Sequence, residues 1–377
     1  MRVLVTGDFF PGGRLRKLSK ANPSEVFGEF AENIRTADLS ITNLEAPLCG
    51  SLKPIQKTGL PMCASPASGD FLANSRFDLV TLANNHIFDY GAPGLEETFS
   101  ALDEYGISYV GAGRSAQDAS RPFLKTIDGV AIAVLNFAEN EWSTTRSASP
   151  GANPIDPIAN FRSIQDAKLH ADHVVVICHG GHEMYSLPSP RMKELFRFYV
   201  EAGANAVINH HTHCISGYEV YRGAPIFYSL GNFLFDNADR RSGTWTQGLA
   251  IELDMSDKQV DFEIHSFDQC TEDSLFELHD ENEQEILRRE IDSLNATIND
   301  DGMLEDSFRK FVIAQSKLYQ CFLEPMNIRL LQAAQNRGLA PSLWSKTKLR
   351  VLLNLIRCEA HRDLIIEMLE QDVGNSQ

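Results

Sequence analysis

The chain has 377 residues, 43% of them apolar and 23% charged, and a net charge of −17. That length holds one large domain plus a smaller one, or two of middle size, and the composition excludes collagen-like, coiled-coil and disordered chains. The acidic balance argues against wholesale binding to nucleic acid, no apolar run reaches the ~18 residues of a membrane span, and seven cysteines without a CxxC pair fit neither a disulfide scaffold nor a cysteine zinc site. Met1-Arg2 passes at once into a strand-like stretch with no secretory signal, so the expected compartment is the cytoplasm.

In chain order, short apolar runs alternate with helix-length segments. Strands are predicted at Val3–Val5, Leu39–Ile41, Asp78–Val80, Ile107–Val110, Val130–Leu135, Val174–Ile177 and Ala206–Ile208, with helices such as Gly94–Tyr105 and Arg191–Ala202 between them. From Gly217 to Phe267 the helices give way to consecutive strands at Glu219–Tyr221, Ile226–Tyr228, Gly248–Leu253 and Val260–Phe267. Turns at Arg222-Gly223 and Ser256-Asp257 join them, which predicts an antiparallel end to the core. The fold class is therefore α/β, and an α/β/β/α sandwich accommodates both halves.

Past Cys270 the pattern is helical. Phe308, Phe311, Val312, Leu318 and Phe322 recur at helical spacing until Pro325, and Ser342 can cap a last helix carrying Leu349, Leu352, Leu353 and Ile356. The expected domains are residues 1–268 and a helical region 272–377, whose apolar stripes offer a route to an oligomer. Charge reverses within the latter: Glu272 to Asp306 carries −11 and Arg309 to Arg362 carries +8, which makes the basic stretch a candidate surface for an anionic polymer.

Polar residues able to bind metal end the predicted strands. Asp8 follows the first, Asn43 and Glu45 the second, and Asn84, Asn85 and His86 the third; His179, His182 and Glu183 end a later one, and His210, His211 and His213 another. In open α/β sheets ligands bind beyond the carboxyl ends of the strands, so these clusters are expected on one crest. Carboxylate, carboxamide and imidazole together suit a divalent metal such as Mn, Fe or Zn. His211 and His213, two apart in an extended segment, would present both imidazoles to one side.

Gly7-Asp8, Asn43-Leu44-Glu45, Ala83-Asn84-Asn85-His86 with Asp89-Tyr90-Gly91, His179-x-Gly181-x-Glu183, His210-His211-x-His213 and Tyr228-Ser229-Leu230-Gly231-Asn232-Phe233 form a series of motifs. Over about residues 1–237 this series resembles the CapA family of capsule synthesis proteins associated with poly-γ-glutamate. The resemblance implies the sandwich of the calcineurin-like metallophosphatases. It also implies Asp8 and His213 as ligands of a first metal, Glu45 as a bridging carboxylate, and Asn85, His179 and His211 as ligands of a second. His86 corresponds to the acid or base beside the metals, with Asp89 orienting its ring. Arg14, Asn43, Glu183 and Asn232 are the substrate-side candidates. Phe10 stands where the phosphatase signature has a histidine, which leaves one or two metal ions open.

The function expected from this resemblance is a metal-dependent hydrolase for an anionic amide-linked or phosphate-bearing polymer or peptide. Two alternatives stand beside it: a metal-independent peptide epimerase using His/Asp pairs, and a non-catalytic scaffold of a polymer-synthesis complex.

Overall fold

The structure, a computed structural model, describes residues 1–255, 260–323, 328–341, 343–357, 361, 365–366 and 369. The predicted Ser256-Asp257 turn, the Pro325 break, the Ser342 cap and the side chain of Phe322 lie outside the described residues. The first half of the chain contributes β1 (Arg2–Phe10), β2 (Leu39–Leu44), β3 (Leu79–Thr81), β4 (Ser108–Val110), β5 (Ala112–Gly113), β6 (Phe123–Ile127), β7 (Val130–Ala138) and β8 (Gly151–Ala152). The rest are β9 (His173–His179), β10 (Ala206–His210), β11 (Tyr218–Tyr221), β12 (Ala224–Phe227), β13 (Asn232–Phe235), β14 (Gln247–Asp254), β15 (Asp261–Gln269) and β16 (Phe276–Leu278).

Among the described residues these strands form two large mixed sheets. The first runs β16-β15-β14-β1-β2-β3-β4 with β13 also paired to β1, and the second runs β11-β12-β10-β9-β7-β6. Val174 to Cys178 shows why the run is continuously apolar: successive side chains of a strand point to opposite faces, and here both faces are covered. Val175 and Ile177 pack between the sheets with Val3, Val5 and Ile41. Val174, Val176 and Cys178 pack outward against Ile164, Phe196 and Tyr199 of the helices Pro157–His170 and Pro190–Ala202. Phe27, Phe71, Leu95 and Phe99 cover the outer face of the first sheet, which completes the α/β/β/α sandwich.

The antiparallel end predicted for the core is divided between the sheets. β11 and β12 form a hairpin on the edge of the second sheet, with β12 parallel to β10, whereas β14, β15 and β16 run antiparallel in the first. Arg222 and Gly223 both have positive φ (51° and 85°), the two-residue turn whose twist suits a hairpin. Between the two groups, β13 lies parallel to β1.

Two compact units divide the chain, Met1–Glu305 and Asp306–Gln377. The helix Glu281–Asn299 opens on a capping box made by Asp280 and Glu283, and it buries Leu287 and Ile291 in the core between the sheets of the first unit. The second unit holds the helices Arg329–Asn336 and Lys346–Arg357 and the greater part of Asp301–Leu323. Among the described residues no helix is long and apolar enough to cross a membrane.

Gly7 is the point at which β1 changes neighbours. Residues Arg2 to Thr6 pair with β14, Asp8 pairs with Asn232 of β13, and the Asp8 amide donates to Gly231 O at 3.2 Å. A Cβ on Gly7 would stand 2.1 Å from that carbonyl oxygen, which is backbone and cannot swing aside. Gly7→Ala is therefore expected to destabilise the protein by about 1–3 kcal/mol, the usual cost of overpacking, measured as a lower midpoint in urea.

Candidate metal centre

The strand ends converge as the pattern predicts. Asp8 lies opposite Asn43 where β1 meets β2, and His210 lies opposite His179 where β10 meets β9. Glu45 follows β2, and Asn84 to His86 follow β3 after Leu82 and Ala83. His211 and His213 are not extended; both have positive φ, 93° and 55°, and the bend turns both imidazoles into the site. Such conformations cost energy for non-glycine residues and persist where surrounding contacts hold them. Here the His211 amide donates to Asp8 Oδ2 at 3.1 Å, and His213 Nδ1 stands 2.9 Å from Asn232 Oδ1.

Two sets of buried donors result, Glu45 with His179 and His211, and Asp8 with Glu45 and His213; within each, the donor atoms lie within 4.8 Å of one another. Glu45 belongs to both. Its Oε1 is 3.6 Å from His179 Nε2 and 3.6 Å from His213 Nε2, and neither carboxylate oxygen has a hydrogen-bond partner. His179 Nε2 stands 3.1 Å from His211 Nδ1 and 3.1 Å from Asn85 Oδ1, which brings Asn85 to the first set. On the other side, Asp8 Oδ2 is 3.5 Å from His213 Nδ1.

Burial controls the charge states. It raises Asp8 to about 7 against the opposing hydrogen bonds from Asn43 and the His211 amide. Burial and then the negative charge of Asp8 hold Glu45 well above the usual carboxylate range. His213 and His210 are lowered to about 3, chiefly by burial, and burial with the neighbouring imidazoles holds His179 well below its ordinary value. The imidazoles are therefore neutral at pH 7 and have lone pairs to offer a cation. A buried carboxylate with no donor is costly unless a cation compensates it. Partnerless Glu45 among neutral imidazoles is the donor chemistry that a divalent metal satisfies, so the residues present fit such an ion.

Beside these sets, His86 Nδ1 lies 2.7 Å from Asp89 Oδ2. Asp89 is fully buried, and it also pairs with Lys57 Nζ and accepts from the Met62 amide at 2.7 Å. A carboxylate on Nδ1 holds the ring in one tautomer and leaves Nε2 as the nitrogen that can exchange a proton. The Asn84 side chain fixes the turn, accepting from the amides of His86 and Ile87 at 3.1 and 2.9 Å.

The four substrate-side candidates fall in different places. Asn43 is fully buried, donates to Asp8 Oδ1 at 2.7 Å and lies 3.3 Å from His179 Nδ1, so it orients two donors. Asn232 is equally buried and does the same for His213. Glu183 is exposed, and its charge acts on Glu45 and His211. Arg14 is turned to internal contacts: Nε donates to Asp236 Oδ1 at 3.0 Å, and the other guanidinium nitrogens donate to Thr271 O and Glu272 O at 2.6 and 3.3 Å.

Lys57 and Trp245 have no signal in the local pattern, whereas His210 ends its strand as expected but belongs to neither donor set. Lys57 comes from a segment without periodicity. His210 is buried within 3.9 Å of Asp8, with neither ring nitrogen hydrogen-bonded. Trp245 packs on the His213 ring at 4.7 Å and carries the exposed Arg240 guanidinium on its other contact, 5.0 Å from its ring.

The profile of the family described as "Bacterial capsule synthesis protein PGA_cap" matches residues 2–237. The chain is 33% identical over 242 residues to the "PGA biosynthesis protein CapA" of Bacillus subtilis (strain 168), covering 63% of each chain. It is 31% identical over 252 residues to the "Capsule biosynthesis protein CapA" of Bacillus anthracis, covering 64% of this chain and 61% of that one. The matches thus span less than two thirds of these curated relatives. Among solved structures, a hypothetical protein from Thermus thermophilus aligns with a TM-score of 0.45 and 16% identity, covering 71% of this chain and 99% of the other.

Proposed function

The chain belongs to the bacterial capsule synthesis protein family, and from that premise we propose that it is a metal-dependent hydrolase of an anionic, amide-linked polymer of the poly-γ-glutamate type. The observation that carries this reading is Glu45, buried and without a partner, shared by two donor sets beside the His86–Asp89 pair. Asp8, Glu45 and His213 would hold one ion, and Glu45, His179 and His211, with Asn85, the other. A divalent ion there supplies Lewis acidity and lowers the pKa of water at the site.

The residues of the chain then have distinct tasks. Asn43 and Asn232 keep the donors aimed, and the His211 amide holds Asp8. As water adds to the amide carbon and the C–N bond breaks, the leaving nitrogen must gain a proton. His86 Nε2 is the group assigned to deliver it, with Asp89 stabilising the ring while it is charged. Elemental analysis of purified protein, with turnover assays on γ-glutamyl and phosphodiester substrates, tests this. Metal-free native protein with no hydrolysis of either substrate in added Mn, Fe or Zn overturns it.

Epimerisation is the second reading, favoured by Phe10, which packs on Phe235 at 5.0 Å where a further histidine ligand would stand. Inversion of a γ-glutamyl peptide by chelator-treated protein would select it over hydrolysis.

Arg240 is assigned the substrate-side role that the resemblance implies for Arg14, as a grip on a substrate carboxylate. The Arg240 Cζ lies over the Trp245 ring at 5.0 Å, on the His213 side of the centre, and a guanidinium there can make a two-point contact with a carboxylate. Arg240→Ala should raise KM for an anionic polymer on the order of tenfold, about 1.4 kcal/mol of binding, with kcat nearly unchanged. Steady-state kinetics at fixed ionic strength would check it.

A further inference from the structure

We propose that Cys49 and Cys63 close into a disulfide that staples the loop between them over the His86 side of the site, formed by exchange with an external disulfide. The inference stands on the cysteines and the loop, and holds whichever reaction the centre performs. The two Sγ atoms lie 2.7 Å apart, with both thiols free. The backbone around them is already paired: Cys49 N donates to Ala64 O at 2.9 Å, Ala64 N donates to Pro47 O at 3.0 Å, and Leu48 bridges Ala64. A disulfide needs sulfurs about 2.0 Å apart, so closure requires less than ~1 Å of movement between two anchored strands of chain.

The loop gives this bond a consequence. Residues 50–62 form no helix or strand, and Leu60 is 84% exposed. A few polar contacts hold the loop on the site: Lys57 with Asp89 and with Asn85 O at 3.3 Å, the Met62 amide with Asp89 Oδ2, the Ile55 amide with Asp89 O at 2.8 Å, and Thr58 Oγ1 with Trp142 Nε1 at 2.9 Å. Without a cross-link, ordering such a segment costs chain entropy that these contacts must offset. Joining its ends removes freedom from the open loop and favours the docked one. Lys57 and the Met62 amide then stay on Asp89, and Asp89 stays on His86.

The chemistry balances as a two-electron exchange. Cys63 is part-exposed and Cys49 is buried, so the Cys63 thiolate attacks the external disulfide first, forming a mixed disulfide and releasing one thiol. Burial and the hydrogen bond with Cys63 raise the Cys49 thiol, which therefore reacts second. Its sulfur attacks Cys63 Sγ, its proton leaves to solvent or to the departing thiolate, and the second thiol is released. Two S–H bonds are lost, one S–S bond forms, and the external disulfide is reduced to two thiols. In a reducing compartment the pair stays open.

The test uses the whole chain equilibrated in oxidised or in reduced glutathione. Intact mass should fall by two hydrogens in the oxidised sample, and peptide mapping without reductant should join the peptides that contain Cys49 and Cys63. Trypsin should cut after Lys57, the loop's cleavable lysine since Lys53 precedes Pro54, on the order of tenfold more slowly in the oxidised protein, because cleavage follows local opening. Cys63→Ser, at a part-exposed position, should abolish the cross-link and make cleavage indifferent to redox state; Cys49→Ser should do the same. Both thiols remaining alkylatable after oxidation, a stable glutathione adduct on Cys63 alone, or equal cleavage of the two wild-type samples would each overturn the proposal.

Discussion

His86→Asn should leave the fold and the bound metal in place while lowering turnover by roughly 10²- to 10⁴-fold, the usual contribution of a positioned proton-transfer group. The ring is 15% exposed at the edge of the site and contributes to neither set of clustered donors, so its loss removes no ligand from them. Asparagine keeps a donor for Asp89 yet cannot exchange a proton near neutral pH. Asp89→Asn should act in the same direction by less, and would also leave Lys57 buried without its counter-charge, at 4% exposure. Turnover and metal content measured on the same preparations separate the possibilities. Metal lost in proportion to activity in the His86 variant would make His86 a ligand and remove the proton-transfer assignment.

Glu45→Gln should abolish tight metal binding, because one substitution removes the carboxylate common to both donor sets. The shape of the site is kept. Burial and Asp8 already hold Glu45 well above the usual carboxylate range, and glutamine keeps its shape without the charge, so stability in chelator should change little. Added metal at a hundred times its Kd should stabilise the wild type by about 2.7 kcal/mol and the variant hardly at all, read as a shift in thermal midpoint. The wild-type response should also depend on pH. Burial raises Asp8 to about 7 and holds Glu45 well above the usual carboxylate range, so metal binding competes with protons at both. Affinity should therefore rise with pH up to about 7 and beyond, with protons released to the buffer. The histidines, lowered by burial, hold none to release at neutral pH. Calorimetry in buffers of different ionisation enthalpy would count those protons; a pH-independent affinity would place the metal elsewhere.

Much of the centre is legible in the sequence because of how buried strands end. A run such as Val174 to Cys178, apolar on both faces and followed by His179, announces a strand whose last residue emerges where ligands bind. The same holds for Val3 to Val5 before Asp8 and Ala206 to Ile208 before His210. Local pattern thus determined the α/β class, the strands and the residues at their ends. Neighbours distant in sequence were decided only by the tertiary structure. Periodicity reports which face of a strand is buried, not which strand lies beside it, so β11–β12 and β14–β15 looked like one antiparallel portion and lie in different sheets, while β16, in a stretch read as helical, joins the first. Arg14 is a substrate-side candidate by resemblance, yet folding sets Asp236, 222 residues away in sequence, against its Nε at 3.0 Å. Lys57 reaches Asp89 across 32 residues for the same reason: a charge finds its partner through the packed geometry of the site, which no local spacing encodes.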